Sequence, residues 1–407
     1  MLRSLFSGIS GLRAHQTMLD VTGNNIANVN TAGFKSSQVQ FQDTLSQVLS
    51  NAGAAQPGIG GTNPAQVGLG VKVAGVTTNF QQGASQLTNR QTDMMISGDG
   101  FFVVQKGGEQ LYSRAGAFAF DALGQLVTPD GGLVQGWAAD GTGNIDLNSP
   151  LTTLRLPVST LMGAQATGAS VFEGNLPYAA PTGTTLNRQV DIFDGTGAPH
   201  SMNLAFTRVT GGTGGDWTVK GTIAGTSSTV GPVTVSFKTD GTLAAVPTKI
   251  TLPADGTVGT RAITVDLSSL TAFAGLETVA AAGQDGRAAG GLQSFAINSD
   301  GTLLGSFSNG LKQSIGRVAL GNFGNPSGLE KSGSSLYRPT VNSGDAQVGA
   351  AGSGGRGVLS GGSLEMSNVD LSAEFTNLIV AQRGFQANSR VITTSDEVLQ
   401  ELVNLKR

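Results

Sequence analysis

Between Ser367 and Arg407 the apolar positions keep a seven-residue step. Leu371, Leu378, Phe385, Ile392 and Leu399 form one ladder, with Phe375, Ile379 and Leu402 beside it. A ladder of that length, on a background of Asn377, Gln382, Gln386, Asn388 and Ser389, marks a helical seam rather than a strand. Ser367 with Asp370 three positions on has the form of a capping box, which starts the predicted helix near Asn368. Continued to the last residues, that helix would measure about 55 Å at roughly 1.5 Å per residue. The other end of the chain carries the same step in Leu5, Leu12, Leu19 and Ile26, with Ile9 between. Matching seams at the two termini, and no other strongly helical stretch, predict that the ends pair and that everything else is an excursion between them. Two ordinary amphipathic helices packed on a core are the plainer reading.

Both helices are weak alone. Gly8, Gly11 and Gly23 lie inside the first and Gly384 inside the last, each costing about 1 kcal/mol relative to Ala. Isolated helices depend on tertiary packing. The expectation is therefore that both termini are poorly ordered in a free copy and form on assembly.

The polar run Gly23 to Lys35, GNNIANVNTAGFK, ends the first helix, since Asn favours caps and turns over helix interiors. Gly33 suits a turn with positive φ. The run is either a joint that fixes how the helix leaves the next segment or a simple C-cap. Gln38 to Val48 reads as a short helix or a strand, and Asn51 to Gly70 as a linker or long loop.

From Val71 the texture becomes that of strands with turns. Met94 to Gln105 holds a Gly98-Asp99-Gly100 turn, and Gln125 to Trp137 an Asp130-Gly131 turn. Strands continue more loosely from about Asp146 to Arg287, where Val233, Val235 and Phe237 alternate with Thr234, Ser236 and Lys238 to give one buried and one wet face. Ser201 to Val209 and Arg261 to Leu267 read the same way, and Asp240-Gly241 and Asp300-Gly301 are matching hairpin turns. Gly283 to Gly291 reads as a hinge. Denser strands resume at Leu292, and Asn342 to Gly362 is a second Gly-rich connector. The fold class expected is mainly β with α-helical termini: a paired, coiled-coil-like terminal domain (1–70 plus 359–407), an outer β domain (71–145 plus 288–358) and an inserted second β domain (146–287), the β domains sandwich- or barrel-like.

Composition narrows the function. The chain has 407 residues, 61 of them Gly, with 13% charged residues and a net charge of −3, which gives no basic footprint for nucleic acid. Cys is absent, so disulfides and thiolate metal sites are unavailable. The first residues lack the continuous apolar core of a cleavable signal, and no apolar run is long enough for a membrane span. A glycine-rich, charge-poor middle looks extracellular, so export without a cleaved signal reconciles the two. His15 and His200, the only histidines, have no ligand-spaced companions, and the Asp-Gly pairs lack the full calcium-loop pattern. No phosphate-binding Gly motif is present. No catalytic, metal or cofactor residues are assigned. Trp137 and Trp217 read as packing residues, with a sugar-stacking platform as the alternative. The best functional feature is the seam, which either closes on itself or packs against further copies; head-to-tail contacts that do not close make helical filaments.

These residues carry a resemblance. Asn24, Asn25, Asn28, Asn30, Thr31, Gly33, Phe34 and Lys35 resemble the N-terminal signature of the bacterial flagellar rod and hook axial family, and the final helix resembles that family's C-terminal one. SGDGFFVVQ (Ser97 to Gln105), Tyr112 to Trp137 and Gly321 to Ala346 are also similar. The added segment 146–287 is similar to the longer, hook-type members. The resemblance implies a structural subunit, not an enzyme. It implies a homopolymer, export by the flagellar type III apparatus, contacts with rod, hook cap and hook–filament junction proteins, and a place in the flagellum outside the cell. It implies assembly through the helix seams: Leu5, Ile9, Leu12, Leu19, Ile26, Leu371, Phe375, Leu378, Phe385, Ile392, Leu399 and Leu402. A rod-type axial protein is the nearer alternative, and a secreted β adhesin or glycan-binding module the alternative of another class.

Overall fold

The computed structural model describes residues 2–54, 57, 60–156, 161–209, 215–225, 229–244, 249–254 and 262–404. Part of the expected linker 51–70, the start of the strand expected at Arg261 and the last three residues of the expected final helix lie outside them. The chain divides into two units, 1–156 with 296–304 and 314–407, and 157–295 with 305–313.

In the first unit the chain opens with helix α1, Leu2–Ala27, and closes with helix α2, Leu371–Asn404. The two lie antiparallel: Ser4 meets Ser395 at 3.5 Å and Asn25 meets Glu374 at 2.9 Å. The sequence expectation that the ends pair is met within one copy. α2 starts three residues later than the capping-box reading placed it. Its N-cap is Asp370, whose carboxylate accepts the N–H of Ser372 (2.8 Å) and Ala373 (3.3 Å), two of the donors left open at a helix start. Asn368 is used elsewhere, as described below.

Between the helices come β1 (Ser37–Asp43), β2 (Ser46–Ser50), β3 (Ala65–Gly68) and β4 (Val71–Thr78). The segment 38–48 therefore holds two strands parted at Thr44 and Leu45, not a helix, and β3 lies inside the stretch expected to be a linker. β1 pairs with β4 and β2 with β3, both antiparallel, so the excursion is a two-tier ribbon rather than a loose loop. β3 was invisible to periodicity because it is four residues long and exposed throughout.

The β body of this unit is built on β7 (Phe101–Lys106), which pairs with β8 (Glu109–Ser113) and with the strands Leu133–Ala138 and Lys312–Asn322. Its run Phe101-Phe102-Val103-Val104 is buried on both faces, which is why it is continuously apolar rather than alternating. Phe102, Phe118, Leu126, Val134 and Val318 fill one side; Phe101, Val103, Tyr112, Trp137, Phe323 and Tyr337 fill the other. The aromatic rings on that second side meet edge-on, Tyr112 on Phe323 at 4.7 Å and Phe101 on Tyr337 at 5.8 Å. Gly98-Asp99-Gly100 does turn the chain, with φ of 103° and 128° at the glycines. It is no hairpin, because β6 (Met94–Ser97) before it pairs with Val358–Gly361 and not with β7.

Burial pushes the Tyr112 hydroxyl up to about 12 and raises that of Tyr337 as well. A raised pKa contributes stability below the unfolded value and loses it above. The first unit should thus lose stability as pH rises from about 10 to about 12, where unfolded tyrosines ionise and these two keep their protons. Lys35 and Lys331, lowered by burial from 10.5, act in the opposite sense, but only below that value. Denaturant midpoints measured across the window check it; a flat profile contradicts it.

The second unit holds two four-stranded sheets. Thr185–Phe193, Pro199–Arg208, Trp217–Ile223 and Thr229–Val235 form an antiparallel meander. The other runs Lys249–Leu252, Ile263–Thr271, Ala169–Asn175, Ala280–Gln284, with its central pair parallel. Both sheets contribute to one core that includes Phe172, Phe206, Trp217, Val235 and Val265, a sandwich. Val235 and Phe237 are buried and Thr234 and Lys238 exposed, as their alternation predicts.

Candidate assembly surface

Helix α2 turns toward α1 the residues Glu374, Leu378, Ala381, Phe385, Asn388, Ile392, Ser395 and Leu399, each less exposed than most of its neighbours. Their alternating four- and three-residue steps are those of a coiled-coil seam. Four of the eight belong to the apolar ladder read from the sequence. The facing side of α1 is different. Its contacts run through Ser4, Gly8, Gly11, His15 and Asn25, with Thr22 and Ala14 also buried. A Cβ on Gly11 would stand 2.7 Å from Asn388 Oδ1, and one on Gly384 2.5 Å from the His15 ring. The glycines are close-approach points that let the backbones meet, the same use small residues have in tight helix pairs. Leu5, Leu12, Leu19 and Ile26 sit one residue beside this contact line and are half-buried, and Ile9 is exposed.

The outer flanks of the pair are apolar. Phe6, Phe375, Ile379, Val380, Val391, Val398 and Val403 are exposed, Phe6 by 67% and Val403 by 66%, and the seam positions Leu371 and Leu402 at the two ends of α2 are exposed as well. Phe375 and Val403 lie on one side of the seam and Val391 and Val398 on the other, by their heptad positions. A helix pair with few buried apolar side chains between its members and apolar flanks outside is built to take further neighbours.

The Asn-rich run closes α1 and bonds it to the segments that follow and precede the β body. Asn28 Nδ2 donates to Asn24 O at 2.9 Å and the Thr31 hydroxyl to Asn28 Oδ1 at 3.0 Å, closing α1. Asn25 is buried and ties three elements. Its Nδ2 donates to Ser37 O and to Glu374, and its Oδ1 accepts from Ser37 N–H. Gly33 has φ +68°, and its N–H donates to Glu365 O at 2.7 Å, so the expected turn is present. Asn30 is exposed.

Lys35 closes the joint. It is fully buried, and its Nζ donates to Gln81 O at 2.7 Å and to Glu365 Oε1 at 2.6 Å. Glu365 also accepts from Gly83 N–H at 2.9 Å and from Arg114 at 3.5 Å. Burial lowers the pKa of Lys35 and of Arg114. Lys331 lies 5.0 Å from the Phe34 ring centre and donates to Lys35 O and Ser37 Oγ. Asn368, just ahead of α2, accepts from Ser36 N–H and donates to Asn79 O and Gln81 O. The first and last segments are thereby locked to each other where both enter the β body. Glu365, Arg114, Lys331 and Asn368 were not singled out from sequence; the one signal available was an isolated acid two residues ahead of Ser367.

Other candidates resolve plainly. His200 pairs with Asp194 at 3.3 Å. Trp137 and Trp217 are buried, 4% and 0% exposed, so neither is a stacking platform. The carboxylates of Asp140, Asp194 and Asp240 accept the hydroxyl and N–H of the Thr two residues on, and the hydroxyl bond foremost holds them below the usual range. Among the described residues no acidic or His cluster could hold a metal, and no helix is long and apolar enough to cross a membrane.

Comparison with known families fits this arrangement segment by segment. Residues 5–35 match the family "Flagella basal body rod protein", 95–161 the "Flagellar hook protein FlgE/F/G D1 domain", 164–287 the "Flagellar basal body protein FlaE D2 domain", and 360–405 the "Flagellar basal body rod FlgEFG protein C-terminal". The flagellar hook protein of Treponema pallidum is 40% identical, with all of both chains covered. The chain belongs to the flagellar hook protein family. Its Salmonella typhimurium relative, also named a hook protein, is 37% identical over 99% of this chain and 100% of that one. The crystal structure of a Helicobacter pylori flagellar hook protein shares the fold, with a TM-score of 0.52 at 15% identity, over 67% of this chain and 98% of that one. The chain is a structural hook subunit of the flagellum.

Proposed function

We propose that the chain polymerises through its terminal helices into the flexible tube that serves as a universal joint between flagellar rod and filament. The supporting observation is the apolar flanks that the α1–α2 pair leaves exposed. In this reading the helices line the inner tube and the β units face outward. Small, polar interfaces between outer β units let neighbours slide as a bent hook turns, while the inner helices keep denser contacts. The finer division, 1–70 plus 359–407, 71–145 plus 288–358, and 146–287, belongs to the same proposal. So do the seam and joint residues as assembly elements, export through the type III apparatus without a cleaved signal, growth under a hook cap, and contacts with rod and hook–filament junction proteins outside the cell. A Bacillus subtilis rod protein, 35% identical over all of both chains, favours a rod-type second reading, which straight rather than curved tubes would identify.

The full-length chain is expected to form sedimentable tubes visible by electron microscopy. A chain trimmed of 2–27 and 371–404 is expected to stay dispersed. Tubes built by the trimmed chain would contradict the proposal.

A further inference from the structure

We infer that the groove between α1 and β4 seats the C-terminal end of α2 from a second copy of this chain. The inference rests on the self-assembly reading and names where one of its contacts falls. The groove is a cavity of about 450 Å³ with Phe6 and Ile9 on the α1 side and Val71 and Val73 on the β4 side. Its charged lining residues are two cations, Arg13 and Lys72. No α2 residue lines it, because α2 of the same copy packs on the Gly8–Gly11–His15 side of α1.

The occupant has the complementary character. The antiparallel register, with Ser4 at Ser395 and Gly8 against Ile392, brings the first described turn of α1 level with residue 397. Beyond that point α2 has no described α1 residue opposite it, yet it carries exposed Val398, Leu402 and Val403. Around them stand Asp396, Glu397 and Glu401. The described end of α2, apolar at Val398, Leu402 and Val403 and interspersed with three carboxylates, fits an apolar groove edged by an ammonium and a guanidinium, and the charges orient the contact. Groove and helix end are different surfaces. A contact between them is head-to-tail, and where the repeated rotation does not close into a ring each copy offers a free groove and a free helix end to the next.

Polymer assembled from equal parts heavy-nitrogen-labelled and unlabelled full-length chain is coupled with a carbodiimide, which joins amine to carboxylate with no spacer. Peptide mapping is expected to find Lys72 joined to Asp396, Glu397 or Glu401, with links that mix the two isotopes. Polymer without those links, or with same-isotope links alone, overturns the contact while leaving self-assembly standing. Failure of the full chain to polymerise overturns both. As a second arm, Lys72→Glu and Glu401→Lys should each raise the critical concentration about tenfold, and the double exchange should restore it to within about threefold. Singles that are folded by circular dichroism and yet assemble like the parent, or a double exchange that recovers nothing, overturn the pairing.

Discussion

Glu365→Ala should destabilise the first unit by about 3–5 kcal/mol, because it leaves Lys35 and Arg114 buried without their shared carboxylate. Lys35 has no route to solvent for its ammonium, being fully buried, and keeps a single carbonyl, Gln81 O, as acceptor. The N–H of Gly83 loses its acceptor too. The second unit has its own core and should keep its transition, so the first unit's transition should move to lower denaturant while the second's stays in place. Pairing Lys35→Met with Glu365→Gln removes one of the two stranded charges and keeps a neutral acceptor for Gly83 and Arg114, and should recover part of the loss. A Glu365→Ala protein whose denaturant midpoints match the parent would refute the joint as a stabilising element.

Two glycines of equal helix propensity should respond in opposite directions. Gly23 has no atom within 4 Å of where a Cβ would stand, so Gly23→Ala should stabilise α1 by up to about 1 kcal/mol and leave assembly intact. A Cβ on Gly384 would stand 2.5 Å from the His15 ring, and the ring is itself held edge-on by Phe41 at 5.8 Å. Gly384→Val has nowhere to put two methyl groups unless the helices part, a cost of about 1–3 kcal/mol on a seam with little else to hold it. The expected result is loss of tubes at concentrations where the parent assembles, with the β units unchanged by near-ultraviolet circular dichroism. Tubes from Gly384→Val at the parent's concentration would show that the close approach is dispensable.

The contrast also explains what could and could not be read in the sequence. α2 was legible because Leu378, Phe385, Ile392 and Leu399 are large and evenly stepped, and the pairing of the ends followed from the matching step in α1. The α1 contact line was not legible, because Ser4, Gly8, Gly11, His15 and Asn25 carry little hydropathy; close packing is a property of shape that periodicity of apolar residues does not record. The Leu5–Ile26 ladder drew attention to a face half-buried beside that line. The joint was legible on one side alone. Gly33 and the Asn cluster announce a turn by their own chemistry, whereas Glu365 meets Lys35 across 330 residues of chain, and no local pattern encodes that meeting. Short exposed strands such as β3 were lost in glycine-rich texture for the same reason. In the β body, the continuous Phe101–Val104 run was the visible trace of burial on two faces.

Hydrogen exchange on residues 2–27 and 371–404, measured on the dispersed chain and on the polymer, tests most directly whether the terminal helices depend on other copies. The account predicts fast exchange along both helices in the dispersed chain and at least a hundredfold slowing in the polymer, about 2.7 kcal/mol of added protection. Equal and strong protection in both states would mean that the α1–α2 pair is complete within a single copy, and would contradict it.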